Sequence, residues 1–299
     1  MNQANAILGL LAETSIHAGA GQKLGAVDLP IQREAHTDWP CIYGTAVKGA
    51  LRARAQDADL KNIEVVFGPD VQTNNASEYA GSLLVGDARL LLLPVRSLTG
   101  TFKWVTCPAV LRRFARDQER LGLGKLNLGP LEVASEQAAV PGPVGADSSL
   151  FLEEYRLTMV TADLGAVMTA LRRFLPRDER HYLEQRLCLV DDEFFGYLAR
   201  FATPVTAHVT INYETKTARD TGLRYEESLP PETVFYVPLS ASKARKEKAT
   251  ESAGDVLDAI VGELFQRGHS YLQVGGNETV GMGWCRVTPV VPEKQGVVA

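Results

Sequence analysis

The first forty residues combine an apolar run with a long stretch that has no periodicity. Residues 4–16 are almost continuously apolar, which predicts a buried strand. Residues 17–40 contain several glycines and follow neither a helical nor a strand period. Loops of this length inside a compact domain are uncommon and usually functional or mobile. We therefore predict that residues 17–40 form a functional or mobile loop.

Helical spacing begins directly after this loop. The pattern predicts a helix over residues 44–56, with Thr45 as its cap. Its buried side would carry Val47, Ala50 and Leu51.

The remaining segments alternate irregularly between strand and helix patterns. Residues 122–149 are rich in glycine, proline, alanine and serine, which predicts an extended insertion. Helical spacing dominates residues 161–201, which predicts a helical segment. Further strands are predicted over residues 82–95 with a break near 86–87, over 102–106, 205–213 and 233–239, and twice within 271–291. Further helices are predicted over residues 108–120, 164–175, 178–187, 191–201 and 256–265.

The order of these elements indicates the fold class. Strands and helices mix without regular alternation, which favours an α+β sheet with helices on one face over a doubly wound parallel sheet. No repeat of solenoid period is visible in the sequence. With 299 residues the chain can bury a substantial core, and we predict one domain over residues 1–299 with insertions.

Composition narrows the class of protein. Hydrophobic residues make up 45% and charged residues 22%, as in ordinary globular proteins. The net charge of -5 argues against binding nucleic acid over the whole surface but leaves room for a local basic groove. The sequence has neither a bilayer-spanning apolar run nor a secretory signal, so we expect a cytoplasmic protein without membrane association. Its 4 cysteines form no CxxC pair, which indicates free thiols, with a zinc site or disulfides as alternatives.

A glycine-rich segment lies between the last two predicted strands. It reads YLQVGGNETVGMGWCRV and contains Gly275, Gly276, Gly281 and Gly283. A dinucleotide-binding turn would be followed by a helix, whereas a strand follows here. Two interpretations remain: a plain hairpin turn, or a loop whose glycines let an RNA backbone approach closely.

Three blocks carry a resemblance to a known family. The first is HAGAGQKLGAVDLPIQREAHTDWPCIYGTAVKGALR, which includes the long and specific segment VDLPIQRE. The second is GLRYEESLPPETVFYVPL, and the third is the glycine-rich segment. Together they resemble the backbone subunit of type III-B CRISPR (Cmr) effector complexes, a family of the RAMP superfamily. Residues 61–201 are placed only by elimination.

This resemblance implies a fold, an assembly and an activity. The expected fold is a ferredoxin-like palm, related to the RNA-recognition motif, with a helical insertion and a projecting thumb β-hairpin near residues 213–227. Copies are expected to stack head to tail along a CRISPR guide RNA, together with other subunits of the complex. The expected activity is metal-dependent cleavage of complementary target RNA at regular intervals, which leaves 2′,3′-cyclic phosphate and 5′-hydroxyl ends.

Asp28 is the first candidate for the reacting group. An aspartate before a proline-containing turn commonly bonds its own backbone, which is the structural interpretation. The resemblance implies instead that Asp28 directs target cleavage. It could hold Mg²⁺ or another divalent cation through a carboxylate oxygen, or take the proton from a ribose 2′-hydroxyl.

Three further residues are candidates near the cleavage site. His17 ends the first strand and is either a hydrogen-bonded structural residue, a guide contact or a general acid. Tyr225 and Glu227 resemble family positions near the cut site.

The candidate RNA-binding residues lie in three segments. Lys48 and Arg52 share one face of the first helix, and Thr45 lies at its start. We predict that these residues contact guide phosphates; the alternative is that the basic face is only solvated. Lys216 and Arg219 would face phosphates from the thumb, unless that segment is an ordinary mobile hairpin. The glycines Gly275, Gly276, Gly281 and Gly283 would follow the RNA backbone. The basic run SKARKEKA is either a further patch or a solvated loop.

Other functions remain open from the sequence. The nearest alternative is a non-catalytic guide-binding scaffold of the same complex. A guide-maturation endonuclease and a nucleotide-binding enzyme unrelated to CRISPR are more distant. Cleavage and RNA-binding assays separate these hypotheses.

Overall fold

A computed structural model describes residues 3–22, 25–70, 79–145, 147–266 and 270–292. Its strands form a 12-stranded sheet and a separate 2-stranded ribbon. The strands of the large sheet are β1 Ala4–Ala12, β2 Cys41–Ile42, β3 Leu83–Val85, β4 Ala88–Arg96, β5 Phe102–Thr106, β6 Gln137–Val140, β7 Ser149–Leu152, β8 Tyr155–Thr161, β9 Leu187–Leu189, β12 Val234–Ala241, β13 Tyr271–Gln273 and β14 Trp284–Val290; those of the ribbon are β10 Val205–Ile211 and β11 Ala218–Glu227.

The helices interrupt the strands at irregular intervals. They are α1 Gly44–Asp57, α2 Ile63–Phe67, α3 Pro108–Arg120, α4 Gly165–Arg172, α5 Leu183–Arg186, α6 Asp192–Phe201 and α7 Ala253–Asp258. A π-helical turn, Ala259–Leu264, continues α7, and a 3-10 turn, Glu278–Val280, lies between β13 and β14. No helix in the described ranges is long and apolar enough to cross a membrane.

One half of the large sheet is antiparallel throughout. Its strand order is β13-β14-β1-β12-β4, and every neighbouring pair in it runs antiparallel. Strand β1 lies at the centre, and all its residues from 6 to 12 are buried. A Cβ at Gly9 would collide with the carbonyl oxygen of Phe174, so glycine at this point lets the chain after α4 pack on the sheet.

The other half of the sheet is mixed. Its order continues β4-β5-β9-β6-β8-β7, with β5 parallel to β9 and β6 parallel to β8. The molecule is therefore a mixed α/β fold with a large, mostly antiparallel sheet.

Buried side chains join the helices to this sheet. Asp117 of α3 accepts hydrogen bonds from Arg89 of β4 at 2.7 Å and from the Tyr236 hydroxyl of β12 at 2.8 Å. Burial, together with the charge of Asp117, raises the pKa of Tyr236 and keeps that hydroxyl protonated.

The 4 cysteines are buried free thiols, as the sequence predicted. Burial raises the pKa of Cys41, Cys188 and Cys285 to about 12, and it also raises that of Cys107. These thiols therefore remain protonated near neutral pH.

Several predicted elements are confirmed. The break at 86–87 and the elements β5 and α3 lie where the sequence placed them. The first strand begins at Ala4 as predicted, but it ends at Ala12 rather than at residue 16, so the prediction that His17 ends it was wrong. Helix α1 buries Val47 and Leu51 as predicted, whereas Ala50 is only half-buried.

Two predictions about the middle of the chain were wrong. The insertion predicted over 122–149 contains β6 and the first residue of β7. The helix predicted over 178–187 shortens to α5, and β9 follows it at once. These strands have 3 or 4 residues, too few to establish an alternating pattern.

Candidate nucleic-acid interface and cleavage site

The loop that carries Asp28 lies along the base of the ribbon. The amide of Leu29 donates to the carbonyl of Tyr225 at 3.0 Å, and the amide of Glu227 donates to the carbonyl of Leu29 at 3.0 Å. The Asp28 carboxylate accepts a hydrogen bond through Oδ2 from the Tyr225 amide at 2.8 Å. This bond joins Asp28 to β11, 197 residues away, and Asp28 itself remains half-buried.

Glu227 lies at the centre of a buried network beneath this loop. Its Oε1 atom accepts from Arg33 at 2.6 Å and from the Thr203 hydroxyl at 2.7 Å, and its Oε2 atom accepts from the Ile31 amide at 3.1 Å. Both carboxylate oxygens are engaged, and the residue is 6% exposed. These contacts indicate that Glu227 positions the loop; a reacting role for it stays a prediction.

The residues that follow Asp28 in the sequence anchor the loop further. Arg33 also donates to the carbonyls of Asp38 at 2.7 Å and Ala199 at 2.8 Å, which joins the loop to α6. Both carboxylate oxygens of Glu34 accept from Arg113 of α3, at 2.6 and 2.8 Å.

Gln32 connects the same loop to the start of α1. Its side-chain amide donates to the Gly19 carbonyl at 3.0 Å, and its side-chain oxygen accepts from the Tyr43 amide at 2.6 Å. The sequence analysis missed Gln32, Arg33 and Thr203 as parts of the site. Polar residues following Asp28 in VDLPIQRE were the available signal.

His17 lies against the same base of β11. Its Nδ1 atom is 2.7 Å from the Glu227 carbonyl oxygen, and because that oxygen only accepts, Nδ1 carries the proton. The Nε2 atom faces Gly19, where a Cβ would lie 2.9 Å away. Because residue 19 is glycine, no Cβ lies against His17 Nε2. His17 is bonded through Nδ1 and is buried, and a chemical role for Nε2 stays a prediction.

The glycine-rich loop packs on the His17 segment. The Gly276 amide donates to the His17 carbonyl at 2.8 Å, and the Gly283 amide donates to the Ser15 carbonyl at 2.8 Å. A Cβ at Gly275, where φ is +85°, would lie 2.5 Å from the His17 carbonyl oxygen. A Cβ at Gly283 would collide with the Val274 carbonyl oxygen. Packing within the chain therefore accounts for Gly275 and Gly283.

Gly281 differs from these two glycines. It has a φ of +84°, but no atom lies within 4 Å of the position that a Cβ would occupy. Asn277 ties this part of the loop to the ribbon, since its amide donates to Glu226 Oε1 at 2.6 Å. An RNA contact by Gly276 or Gly281 stays a prediction.

The hairpin of β10, β11 and the turn 212–217, hereafter the thumb, is longer than its predicted extent. The sequence placed a tip over 213–227 and missed β11, so those boundaries were wrong. Strand β11 pairs with β10 in a ribbon separate from the large sheet, and its residues 223–225 are exposed, so its sequence lacks an apolar alternation.

The predicted thumb cations are Lys216 in the turn and Arg219 at the start of β11. Lys216 Nζ lies 3.8 Å from the centre of the Tyr213 ring, and Arg219 is exposed. Both are far along the ribbon from Asp28, which bonds its other end.

One face of the thumb is apolar and exposed. Cross-strand pairs such as Val209 with Leu223 and Ala207 with Tyr225 place their side chains on the same face. Val205, Val209, Ile211, Leu223 and Tyr225 are all exposed there, Tyr225 by 41%. Two-stranded hairpins are marginally stable alone, so this face fits a covering partner or ligand.

The predicted cap of α1 was wrong. Tyr43 precedes the helix without a side-chain cap, and Thr45 lies exposed within it. Asp87 instead accepts a hydrogen bond from the Gly44 amide at 2.7 Å. A residue 43 positions away provides this contact, so no local signal could show it.

Lys48 and Arg52 lie half-buried on α1. Lys48 Nζ donates to the Leu83 carbonyl at 3.2 Å, and Arg52 donates to the Pro69 carbonyl at 3.3 Å. Burial, then the charges of Arg245 and Arg52, lower the pKa of Lys48. These contacts with backbone carbonyls hold both side chains against the segments that follow α1.

The geometry thus gathers the predicted cleavage residues in one place and leaves the cations elsewhere. Asp28, His17, Tyr225 and Glu227 meet at the base of the thumb, beside the glycine-rich loop. Among the described residues, no three His, Cys, Asp or Glu side chains are grouped to hold a metal ion. Within the part of the chain that the structure describes, Asp28 bonds through Oδ2 and His17 through Nδ1, which leaves Asp28 Oδ1 and His17 Nε2 as the candidate reacting atoms.

Comparisons relate this chain to known proteins. The model of the RAMP superfamily matches residues 10–286. The CRISPR system Cmr endoribonuclease Cmr4 of Pyrococcus furiosus is 36% identical over 293 residues, which cover 94% of this chain and 94% of that protein.

Solved structures resemble it over nearly the full length. A crystal structure of oligomeric Cmr4 from Pyrococcus furiosus has a TM-score of 0.73 at 28% identity, covering 97% of this chain and 99% of that one. A chain in the cryo-EM structure of the type III-B Cmr-beta bound to cognate target RNA has a TM-score of 0.70 at 17% identity, covering 95% and 96%. The latter likeness shows the fold alone.

Proposed function

The chain belongs to the RAMP superfamily, and we propose that it is the repeated backbone subunit of a type III-B CRISPR effector that binds guide RNA and cleaves paired target RNA. The observation that carries the proposal is Asp28, bonded to the base of the thumb beside His17. The relative that is 36% identical to this chain is named an endoribonuclease, which supports the same activity here.

A ferredoxin-like palm would provide the platform for RNA. The adjacent strands β14-β1-β12-β4 alternate in direction, α1 follows β1, and α7 follows β12. This arrangement supports a βαββαβ unit with a long insertion between its second and third strands.

Guide binding is assigned to α1 and the thumb. Thr45, Lys48 and Arg52 would contact phosphates from α1, and Lys216 and Arg219 would contact them from the thumb. Phosphate contacts position RNA but carry no base information, which suits a subunit that must accept any guide. Gly276 and Gly281 would let the RNA backbone pass closely.

The thumb would expose the phosphate to be cut. Its insertion into the guide–target duplex would displace a base pair, at a cost of a few kcal/mol. The exposed ring of Tyr225, next to Asp28 in the structure, offers an aromatic surface for a displaced base.

Cleavage would proceed by attack of the ribose 2′-oxygen on the neighbouring phosphorus. Asp28 takes the 2′-hydroxyl proton on Oδ1, the oxygen not bonded to Tyr225. As the new P–O2′ bond forms, the P–O5′ bond breaks, and protonated His17 gives the Nε2 proton to the leaving 5′-oxygen. The products are a 2′,3′-cyclic phosphate and a 5′-hydroxyl.

The donor set fits a divalent cation bound mainly by RNA and water. Mg²⁺ is commonly held by one or two carboxylates together with substrate phosphates. Asp28 would hold it through Oδ1, and the bound ion would supply charge neutralisation at the reacting phosphate. The same oxygen serves metal binding or proton transfer, so these are alternative roles for Asp28.

In the assembled complex, copies would stack head to tail along the guide in the cytoplasm, with other subunits at the ends. A non-catalytic scaffold is the second candidate function. It is favoured by the network around Glu227, in which every described carboxylate contact is structural.

The test is target cleavage by the reconstituted complex with Mg²⁺, comparing wild type with Asp28→Ala. Evenly spaced cuts that disappear in the mutant, with guide binding intact, support the proposal. Cleavage by wild type should also stop when a chelator removes the metal. Unchanged cutting by Asp28→Ala would contradict the role of Asp28, and no cutting by either protein would favour the scaffold.

A further inference from the structure

A second group of basic side chains surrounds one end of the β3–β12 pair. Lys48 Nζ contacts the carbonyl of Leu83, which pairs with Ala241. Directly after β12, Arg245 Nε donates to Ser242 Oγ at 3.2 Å. Lys48 of α1 and Arg245 of the following loop therefore approach the same end of two paired strands.

Lys48 lies close to two other positive charges. Burial, then the charges of Arg245 and Arg52, lower the pKa of Lys48. Lys246, in the same loop as Arg245, is different, because its Nζ lies 2.6 Å from Glu64. Clustered like charges repel one another, and binding an anion would relieve that repulsion.

A cavity of about 750 Å³ opens beside these cations. Lys243 and Arg245 line one part of it, and the small residues Ala4, Ala253 and Gly254 line another. Pockets for small ligands commonly measure about 300–1,000 Å³, so a nucleoside fits this volume. The arrangement offers apolar walls for a base and two exposed cations for a phosphate.

The exposed surface of α1 next to Lys48 adds an independent observation. Gly49 lies in the interior of this 14-residue helix, where glycine is less stable than alanine. It is exposed, and no atom lies within 4 Å of the position of a Cβ. No contact among the described residues requires glycine at this point, whereas a backbone passing close to the helix would.

We propose that Lys243 and Arg245 form, with Lys48, a binding site for consecutive phosphates of single-stranded guide RNA. Gly49 is the point where the RNA backbone passes closest to α1, and the cavity receives one nucleoside. The proposal rests on the proposed function, because it extends the same guide-binding surface to the loop after β12.

The first test compares two single substitutions in that loop. Binding of the full-length protein to a single-stranded RNA oligonucleotide is measured over a range of salt concentrations. Arg245→Ala should weaken binding about tenfold and reduce the slope of log K against log salt by about 0.7, the value for one phosphate contact. Lys246→Ala removes the same charge from a lysine already paired with Glu64, and should leave the slope unchanged.

Gly49→Ala provides a readout that a structural role would not give. The substitution should raise the melting temperature of the protein, because alanine favours the helix, and at the same time weaken RNA binding. Wild-type affinity in Gly49→Ala, or equal effects of Arg245→Ala and Lys246→Ala, would overturn the proposal.

Lys48→Ala separates this proposal from the broader one. If Lys48→Ala weakens RNA binding while Arg245→Ala and Gly49→Ala do not, the further site is wrong and guide binding by α1 stands. If all three variants bind like wild type, both proposals fail.

Discussion

The two sides of the candidate cleavage site are built in opposite ways. The Asp28 loop is fixed by side chains from distant parts of the chain: Glu227 and Thr203 at Arg33, and Arg113 at Glu34. The thumb is held by its own ladder and, at its base, by the Asp28 loop, while its apolar face is exposed.

This difference separates positioning from recognition. The buried network around Glu227 fixes the Asp28 loop within a single copy, as the proposed reacting carboxylate would require. The apolar side chains of the thumb are exposed, as the proposal that it engages RNA and neighbouring subunits would require. Under that proposal, each copy fixes its own reacting carboxylate, and the thumb surface is covered on assembly.

The largest effect is expected when the Asp28 loop loses its central ion pair. The side chains of this pair are mostly buried, with exposures of 15% for Arg33 and 8% for Glu227. Arg33→Ala leaves the Glu227 carboxylate without its guanidinium partner. The free energy of unfolding should fall by about 3–5 kcal/mol, as measured by denaturant titration.

The matched control for that change is Arg96→Ala. Arg96 pairs with Glu153 at 3.0 Å, but its side chain is 72% exposed. Its removal should cost about 1 kcal/mol or less. Equal losses in the two variants would show that the loop is not fixed by a buried pair.

A smaller effect should distinguish two glycines of the glycine-rich loop. Gly283→Ala introduces both a positive-φ strain and a collision with the Val274 carbonyl, and should destabilise by about 3 kcal/mol. Gly281→Ala introduces the strain alone and should cost about 1 kcal/mol. Thermal unfolding of both variants checks this order, and a larger loss for Gly281→Ala would contradict the packing described for Gly283.

The smallest change in stability is expected on the thumb. Val209→Thr alters an exposed position on the apolar face, so unfolding of the free protein should change by about 0.5 kcal/mol or less. Under the proposal that this face is covered on assembly, cleavage by the reconstituted complex should nevertheless decrease. Thr206→Val on the opposite face is the control. Normal cleavage by Val209→Thr would show that the apolar face is not used.

The sequence predicts those parts of the fold in which local pattern and burial coincide. Strand β1 is buried from residue 6 to 12, and α3 repeats its apolar residues at helical spacing, so both were found. The short β9 and the uncovered β11 were missed because neither carries a clear alternation. Short length and absence of a core face remove the signal on which such prediction depends.

The same distinction applies to the site. Asp28, His17, Tyr225 and Glu227 were named from family resemblance, and the structure brings them together. Asp87 contacts the start of α1 from 43 positions away, and Arg33 pairs with Glu227 from 194 positions away. Such pairs depend on the folded topology, which no local pattern contains.

The most direct test compares Asp28→Asn with wild type in single-turnover cleavage of target RNA by the reconstituted complex. Asparagine retains an oxygen that can accept the hydrogen bond from the Tyr225 amide but removes the charge and the basic oxygen. We predict a loss of cleavage rate of about 100-fold or more, with guide binding and melting temperature unchanged. Cleavage by Asp28→Asn at the wild-type rate would contradict the assignment of Asp28 as the reacting carboxylate.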